Sequence, residues 1–296
     1  MNTAAFLTPD ELLRSVEWRV IRRLEGRLQG DYHTLLRGTG TDFLDLRTYE
    51  YGDDVRHIDW NVTARMDEVF VRDFMEDREL TAWLLLDRSR SMQFGAVARS
   101  KERVMCELTA TLAQLLVRGG NRVGAIVYDG QLLWALPPRQ GRDQVLVLVR
   151  EVLRPVKGGT VTDLGRLFST AARVVRRRSL IVVISDFISE PGWEKPLLRL
   201  TQRHEVVAVR LVDPREYELP DAGLLFVEDA ETGDQLLVDS SDPVFRQRLL
   251  AAAAEQDEDI RHAVARAKAD LHVVSTEDDL LTAFVQMARS SGRHRR

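Results

Sequence analysis

Two hydrophobic patterns alternate along the last two thirds of the chain. Short apolar runs such as 180–184 are typical of strands buried on both faces, and they alternate with longer stretches that carry apolar residues at helical spacing. The predicted strands are 82–86, 122–128, 131–135, 180–184, 205–211 and 271–274. The predicted helices are 98–117, 140–153, 162–177, 194–202, 243–269 and 276–288. This alternation predicts an α/β fold with a doubly wound, mostly parallel sheet flanked by helices.

Three segments depart from that alternation. Thr8, Pro9 and Glu11 form a capping-box helix start, and the glycine- and aspartate-rich stretch 38–77 indicates short strands and turns. Two apolar runs, 224–227 and 235–238, predict a hairpin. We therefore expect three parts. They are an N-terminal helix with a β-rich appendage (1–79), an α/β domain (80–290) with a hairpin insertion at about 222–240, and a disordered tail (291–296).

Composition is that of an ordinary globular protein. The 296 residues carry a formal net charge of −4, which gives no support for nucleic-acid binding. The single cysteine, Cys106, lies within a helical pattern and is expected to be a buried thiol. No basic leader and no apolar run of about 18 residues is present, so we expect a cytoplasmic protein without direct membrane insertion.

Candidate chemistry begins where the first strand of the α/β domain ends. Asp87, Ser89 and Ser91 occupy alternate positions directly after the apolar run 82–86. A carboxylate and two hydroxyls form a compact set of oxygen ligands, which suits a small hard cation such as Mg²⁺. The same residues also favour turns and helix caps, so a purely local structural role remains an alternative.

Two further oxygen ligands follow other elements of the predicted sheet. Thr160 lies in a loop that Gly158 and Gly159 open, and Asp186 follows the strand 180–184. Since the carboxyl ends of parallel strands converge on one crevice, Asp87 and its serines could meet both residues there.

This five-residue set resembles the metal-ion-dependent adhesion site of the von Willebrand factor type A fold. That pattern is Asp-x-Ser-x-Ser, then a Thr, then an Asp. The resemblance implies that the hydroxyls touch the ion, that the aspartates act largely through water, and that a partner's carboxylate completes the shell. The implied ligands of Mg²⁺, or of Mn²⁺ or Ca²⁺, are Asp87, Ser89, Ser91, Thr160 and Asp186. Phe187 stands where that family often has Gly.

A second resemblance precedes the first strand of the α/β domain. The string from Arg47 to Trp60, followed by Ala64-Arg65, resembles the signature of the bacterial family called domain of unknown function fifty-eight. Members of that family are commonly encoded beside MoxR-type AAA+ ATPases, which implies such an ATPase and its clients as partners. The polar residues of the signature are interpreted either as a salt-bridge lattice with Trp60 as its apolar anchor, or as a docking surface. They are Arg47, Asp53, Asp54, Arg56, Asp59 and Arg65.

The common enzyme motifs are absent from the sequence. There is no P-loop string, no glycine-rich dinucleotide motif after a strand and no Gly-x-Ser-x-Gly elbow. A haloacid-dehalogenase-like phosphatase needs a second aspartate where Ser89 stands, and His57 has no ligand-spaced partner. We therefore predict a non-enzymatic protein without catalytic residues or an organic cofactor.

The predicted function is that of a chaperone-like adaptor. A divalent ion captures an acidic group of a partner protein, and a MoxR-type ATPase works with the adaptor in complex assembly or metal insertion. Two alternatives remain open: a metal-dependent phosphoesterase or other hydrolase that uses Asp87 and Asp186, and a scaffold whose site stays empty.

Overall fold

The computed structural model describes most of the chain. The described residues are 8–16, 43–51, 53, 55, 58–66, 68–74, 80–96, 99–130, 133–155, 162–217, 221–228 and 235–291. The molecule divides into two compact units, of which one combines Met1–Leu36 with Thr81–Arg296 and the other comprises Arg37–Leu80.

A six-stranded sheet forms the centre of the larger unit. Its strands are β3 (Thr81–Asp87), β6 (Arg122–Tyr128), β7 (Leu133–Arg139), β8 (Leu180–Ser185), β9 (Glu205–Val212) and β12 (Asp270–Ser275). They lie in the order β12-β9-β8-β3-β6-β7, and all neighbours are parallel except β6 and β7. The central strands β3 and β8 are buried on both faces, which explains their continuous apolar sequences.

Helices flank this sheet. They are α1 (Pro9–Val16), α3 (Lys101–Arg118), α4 (Arg142–Val152), α5 (Leu164–Val174), α6 (Glu194–Thr201), α7 (Pro243–Arg266) and α8 (Leu280–Ser291). Helix α1 packs on α3 and α4, whereas α5 packs on α6 and α6 on α7. One core cluster joins Trp83 and Leu85 of β3 to Phe168 of α5 and Val264 of α7. The predicted fold class is therefore confirmed.

Observed element ends differ from the predicted ones for local reasons. Helix α3 begins at Lys101, three residues later than predicted, because the Ser100 side chain caps it by accepting from the Arg103 N–H. Strand β7 continues through Pro137 and Pro138. An edge strand tolerates proline because its outward N–H groups need no partner in the sheet.

Two small strand pairs extend the larger unit. The short strands β4 (Gly95–Ala96) and β5 (Arg99–Ser100) pair just before α3. The predicted hairpin is present as β10 (Leu224–Glu228) and β11 (Gln235–Asp239), which pair antiparallel. It follows β9 in the chain and precedes α7.

The smaller unit contains the Arg47 to Arg65 signature. Strands β1 (Phe43–Thr48) and β2 (Phe70–Phe74) pair antiparallel, and a one-turn helix, α2 (Trp60–Thr63), lies between them in the chain. The Asp59 carboxylate accepts from the N–H groups of Asn61 and Val62, so it is the N-cap of α2. Trp60 is 67% exposed, which corrects the expectation that it is an apolar anchor. Asp54, Arg56, His57 and the side chain of Arg47 lie outside the described residues.

The predicted division at residues 79 and 290 stays a prediction. The N-terminal helix α1 buries Leu12 and Leu13 within the larger unit, against α3 and α4. Residues 292–296 of the expected tail lie outside the described residues.

Candidate metal centre

The candidate site lies at the carboxyl edge of the two central strands. β3 ends at Asp87 and β8 ends at Ser185, and these strands are parallel neighbours with Leu86 in register with Ile184. Their ends therefore meet, and the Ser185 hydroxyl donates to Asp87 Oδ2 at 2.6 Å. Asp186 follows immediately, so the strand pairing brings two buried aspartates to one place.

Asp87 is a buried carboxylate held by neutral donors. Its Oδ1 accepts from the Ser89 N–H at 3.0 Å, and its Oδ2 accepts from Ser185. Burial, together with the negative charge of Asp186, raises the pKa of Asp87 from 3.8 to about 7. Among the residues that the structure describes, no Lys, Arg or His pairs with this carboxylate. A buried anion without a counter-ion is costly, and a bound cation would remove that cost.

Both predicted serines face each other beside Asp87. Ser89 Oγ and Ser91 Oγ lie 3.1 Å apart, and both residues are buried. A 3-10 turn over Ser91–Gln93 holds this arrangement, with the Met92 N–H donating to the Ser89 carbonyl. Arg88 reaches elsewhere, to the Glu102 carboxylate at 2.8 Å and to the Arg154 carbonyl at 2.6 Å. The loop after β3 is thereby fastened to its surroundings while its two hydroxyls remain adjacent.

Asp186 has a cationic partner that sequence reasoning missed. Lys101 is the first residue of α3 and is wholly buried, and its Nζ lies 2.8 Å from Asp186 Oδ2 and 2.5 Å from Glu216 Oε1. Burial lowers the pKa of Lys101, but the charges of Asp186 and Glu216 outweigh it and raise that pKa above its ordinary value. Burial raises the pKa of Glu216 despite the lysine.

Asp186 is also fixed by its other atoms. Its Oδ1 accepts from the Ile188 N–H at 3.0 Å, and its backbone carbonyl accepts from Arg210 Nε at 3.2 Å. Arg210 is itself buried within β9 and lies 2.6 Å from an oxygen of Asp257 in α7. The carboxylate is therefore held in place before any ligand arrives.

Thr160 lies outside the described residues, so its predicted role stays a prediction. Two residues later in the chain, the Thr162 carbonyl accepts from the Ser189 hydroxyl at 2.9 Å and from the Glu190 N–H at 3.0 Å. Thr162 is thus fastened to the segment that follows Asp186.

Phe187 shows how this chain replaces the glycine expected after the last aspartate. Its backbone φ of 61° lies in the left-handed region, which residues with a Cβ rarely adopt. The ring is buried and packs against Trp193 with a centroid distance of 5.6 Å. Packing therefore holds the backbone turn that a glycine would adopt without strain.

The donor set fits a small hard cation. It offers two carboxylates and two hydroxyls, all nearly inaccessible to solvent. In the described part of the chain, no group of three or more His, Cys, Asp or Glu residues is arranged to hold a metal. An ion here would therefore depend on hydroxyls, water and an outside oxygen, as Mg²⁺ commonly does.

Ser185, Lys101 and Glu216 were not predicted as part of the site. Ser185 has a sequence signal, because it stands beside Asp186 at the end of a buried strand. The pairing of Lys101 with Glu216 spans 115 positions and leaves no local pattern.

Comparison with known proteins places the chain in a family. A family model described as "Protein of unknown function DUF58" matches residues 45–259. The chain belongs to this family. The match includes the signature in the smaller unit and runs through β3, β8 and β9 into α7.

Relatives of this DUF58 protein occur in mycobacteria. "Uncharacterized protein Rv1480" of Mycobacterium tuberculosis (strain ATCC 25618 / H37Rv) is 36% identical over 283 residues, which cover 95% of this chain and 89% of the relative. "Uncharacterized protein MAV169" of Mycobacterium avium is 32% identical over 162 residues, which cover 53% of this chain and 94% of the relative.

This DUF58 protein is also similar to solved structures. The conserved hypothetical protein BatB from Bacteroides thetaiotaomicron has a TM-score of 0.46 at 16% identity, covering 72% of this chain and 99% of BatB. The SpRpn10 VWA domain has a TM-score of 0.38 at 14% identity, covering 70% of this chain and 94% of that domain. These likenesses are too weak to carry a functional inference.

Helix length bears on the relation to membranes. Within the described ranges, no helix combines the length and apolar character needed to cross a bilayer.

Cys106 is not part of the candidate metal centre. Cys106 is buried in α3, and burial raises the pKa of its thiol to about 12. The expectation of a buried thiol is confirmed.

Proposed function

We propose that this DUF58 protein is a non-enzymatic, cytoplasmic adaptor that binds an acidic group of a partner protein through a divalent ion, Mg²⁺ in the first place. Its ligands are Asp87, Ser89, Ser91, Thr160 and Asp186. The observation that carries the proposal is the uncompensated charge of Asp87, which is wholly buried beside a second carboxylate.

The proposed ligand set leaves room for a partner's carboxylate. Lys101 is ion-paired with both Asp186 and Glu216, so Asp87 is the proposed carboxylate ligand without a cationic partner among the described residues. Neutral hydroxyls and water would fill other positions around the ion, and an outside anion would complete its shell. The ion would attract the partner's carboxylate, while the serine hydroxyls and Asp87 would hold the ion in position.

The residues around the ion favour binding over catalysis. Ser89 and Ser91 hydrogen-bond to each other, and no histidine among the described residues contacts either hydroxyl. A serine nucleophile needs such a base. Asp186 is occupied by Lys101 and Ile188, so it is poorly placed to activate a water.

The partner system we propose is a MoxR-type AAA+ ATPase with its client proteins. This part rests on the family resemblance of the signature in the smaller unit. The adaptor would present clients for assembly or metal insertion.

A thermal-shift titration tests the metal site. Unfolding of the wild type and of Asp87→Ala, Ser89→Ala and Ser179→Ala is followed in EDTA and with increasing Mg²⁺, Mn²⁺ or Ca²⁺. A ligand that binds only the folded state stabilises it by about 2.7 kcal/mol at a hundredfold excess over Kd. We expect that gain in the wild type and in the Ser179→Ala control, since the Ser179 hydroxyl donates to the nearby Arg177 carbonyl and is no part of the site, and we do not expect it in the two site variants.

Three outcomes would overturn the proposal. A melting temperature that no ion changes would indicate an empty scaffold. Hydrolysis of p-nitrophenyl phosphate by the wild type that is lost in Asp87→Ala would indicate an enzyme. Binding of the purified ATPase encoded beside the gene that is unchanged by EDTA and by Ser89→Ala would remove the ion from partner capture.

A further inference from the structure

The hairpin of β10 and β11 exposes large apolar side chains on both of its faces. Leu224, Phe226 and Leu236 are 68%, 76% and 65% exposed, and Val227 and Leu237 are also exposed. Phe226 pairs with Leu237 across the strands, and Val227 pairs with Leu236. Because alternate residues point to opposite faces, each face carries one of these pairs. We call these five residues the apolar hairpin.

The base of this hairpin is closed and partly buried, while the five residues of the apolar hairpin are exposed. Val238 is buried, and both the backbone N–H and the hydroxyl of Ser240 donate to the Gly223 carbonyl at 2.8 Å. A two-stranded hairpin is at best marginally stable in water unless something covers a face. A fixed, exposed apolar cluster of this kind marks a surface that another molecule covers.

The charge of the sequence around the hairpin indicates which kind of molecule would bind there. From Glu216 to Phe245 the sequence contains nine acidic residues and no Lys or Arg. Of the acidic residues, Glu228 and Asp239 lie within the hairpin strands, and Asp221 and Asp242 flank them. Like charges would repel the hairpin of a second copy and an anionic membrane, whereas a cationic surface would be attracted.

We propose that the apolar hairpin is a docking site for a cationic segment of another protein that carries an apolar face. This contact is separate from the metal centre and needs no ion. The chain leaves the carboxyl end of β9, which lies on the same sheet edge as the metal centre, through the 3-10 turn Pro214–Glu216, and the hairpin follows in the sequence. One partner could therefore engage both, with a carboxylate on the ion and a cationic, apolar segment on the hairpin.

A peptide-binding assay on the full chain tests this proposal. The probe is a fluorescent 18-residue peptide of Leu and Lys at amphipathic helical spacing, compared with a Leu/Glu peptide of the same apolar pattern and a Lys/Ser peptide without an apolar face. We expect the Leu/Lys peptide alone to bind, with equal affinity in EDTA and in Mg²⁺. The variant Phe226→Ser/Leu237→Ser should weaken it at least about tenfold, because two large side chains would no longer be buried.

A matched control distinguishes binding at the apolar hairpin from nonspecific binding to any exposed apolar residue. Val147 of α4 is also an exposed apolar residue, and Val147→Ser should leave peptide affinity unchanged. Circular dichroism and melting temperature should be the same for all variants, since the substituted side chains are exposed.

Four results would overturn the docking site. They are no binding of the Leu/Lys peptide, equal binding of the Leu/Glu peptide, equal loss in the Val147→Ser control, and a dimer in sedimentation that the double variant abolishes. Binding that EDTA removes would assign the contact to the metal centre instead. If no ion stabilises the protein but the Leu/Lys peptide still binds, the proposed metal site would be contradicted and the docking site would still be supported.

Discussion

At the scale of single residues, the site is dominated by charges that are buried rather than exposed. Asp87 and Asp186 lie at adjacent strand ends, but among the described residues a lysine pairs with Asp186 and none with Asp87. The pKa of Asp87 is raised to about 7, whereas an unfolded chain would give it an ordinary value near 3.8. Between about pH 4 and pH 7 the folded protein therefore holds a proton on Asp87 that the unfolded chain releases, and ionising Asp87 above that range opposes folding.

The change Asp87→Asn should reveal that penalty. Folding stability of the metal-free wild type should fall as pH rises from about 4 to about 7, because the folded pKa is the higher one. At pH 8 the metal-free variant should then be the more stable protein, while at pH 5 the two should differ little. Urea unfolding in EDTA at both pH values measures this. A wild type whose stability stays level over that range would contradict it.

Lys101 should be indispensable for a different reason. Lys101→Met leaves Asp186 and Glu216 buried without their shared cation. Loss of one partner of a buried ion pair costs about 3–5 kcal/mol, so we expect a loss of that order at pH 8. The loss should shrink at pH 5, because burial raises the pKa of Glu216 and its carboxyl protonates more readily there. Lys101→Met/Glu216→Gln is the matched variant, and it should recover part of the stability by removing one stranded charge.

At the scale of elements, most strands follow from the pattern of apolar residues. The strand predicted at 122–128 is observed at those residues, and the predicted hairpin is present. Helix starts were less predictable because they depend on single capping side chains such as Ser100 and Asp163. The candidate site was predictable where its residues end buried strands. Lys101 and Glu216 were not, because their contacts join distant parts of the chain and depend on tertiary packing.

The turn after β8 is a position where a glycine variant should be more stable than an alanine variant, which reverses their usual order of stability. Phe187→Ala and Phe187→Gly both lose the packing on Trp193, but the left-handed backbone at this position strains only the alanine. We expect Phe187→Gly to be the more stable of the two by about 1 kcal/mol. Phe168 is the control, since it is buried in the interior of α5 and also lies against Trp193. There Ala should be more stable than Gly by about 1 kcal/mol. The same order at both positions, measured by urea unfolding, would contradict the strain.

At the scale of the whole molecule, the candidate site is tied to distant elements through Arg210. This wholly buried arginine in β9 donates to the Asp186 carbonyl, and its guanidinium lies 3.4 Å from the Tyr217 hydroxyl and 2.6 Å from Asp257 in α7. It thereby joins the loop after β8, the segment leading to the hairpin and the long helix α7. A disturbance at any of these places can reach Asp186 through one side chain.

Arg210→Met should therefore affect both stability and ion binding. Removing the guanidinium leaves the buried Asp186 carbonyl without this donor, and we expect a loss of about 1–3 kcal/mol. Arg210→Lys should rescue little, because an ammonium cannot reach in three directions as the planar guanidinium does. The Mg²⁺-induced rise in melting temperature should shrink in both variants, since Asp186 is less firmly held. Arg246→Met, on the exposed surface of α7, should change stability by no more than about 0.5 kcal/mol. If Arg210→Met kept the full Mg²⁺ response, Arg210 would stabilise the fold without positioning Asp186.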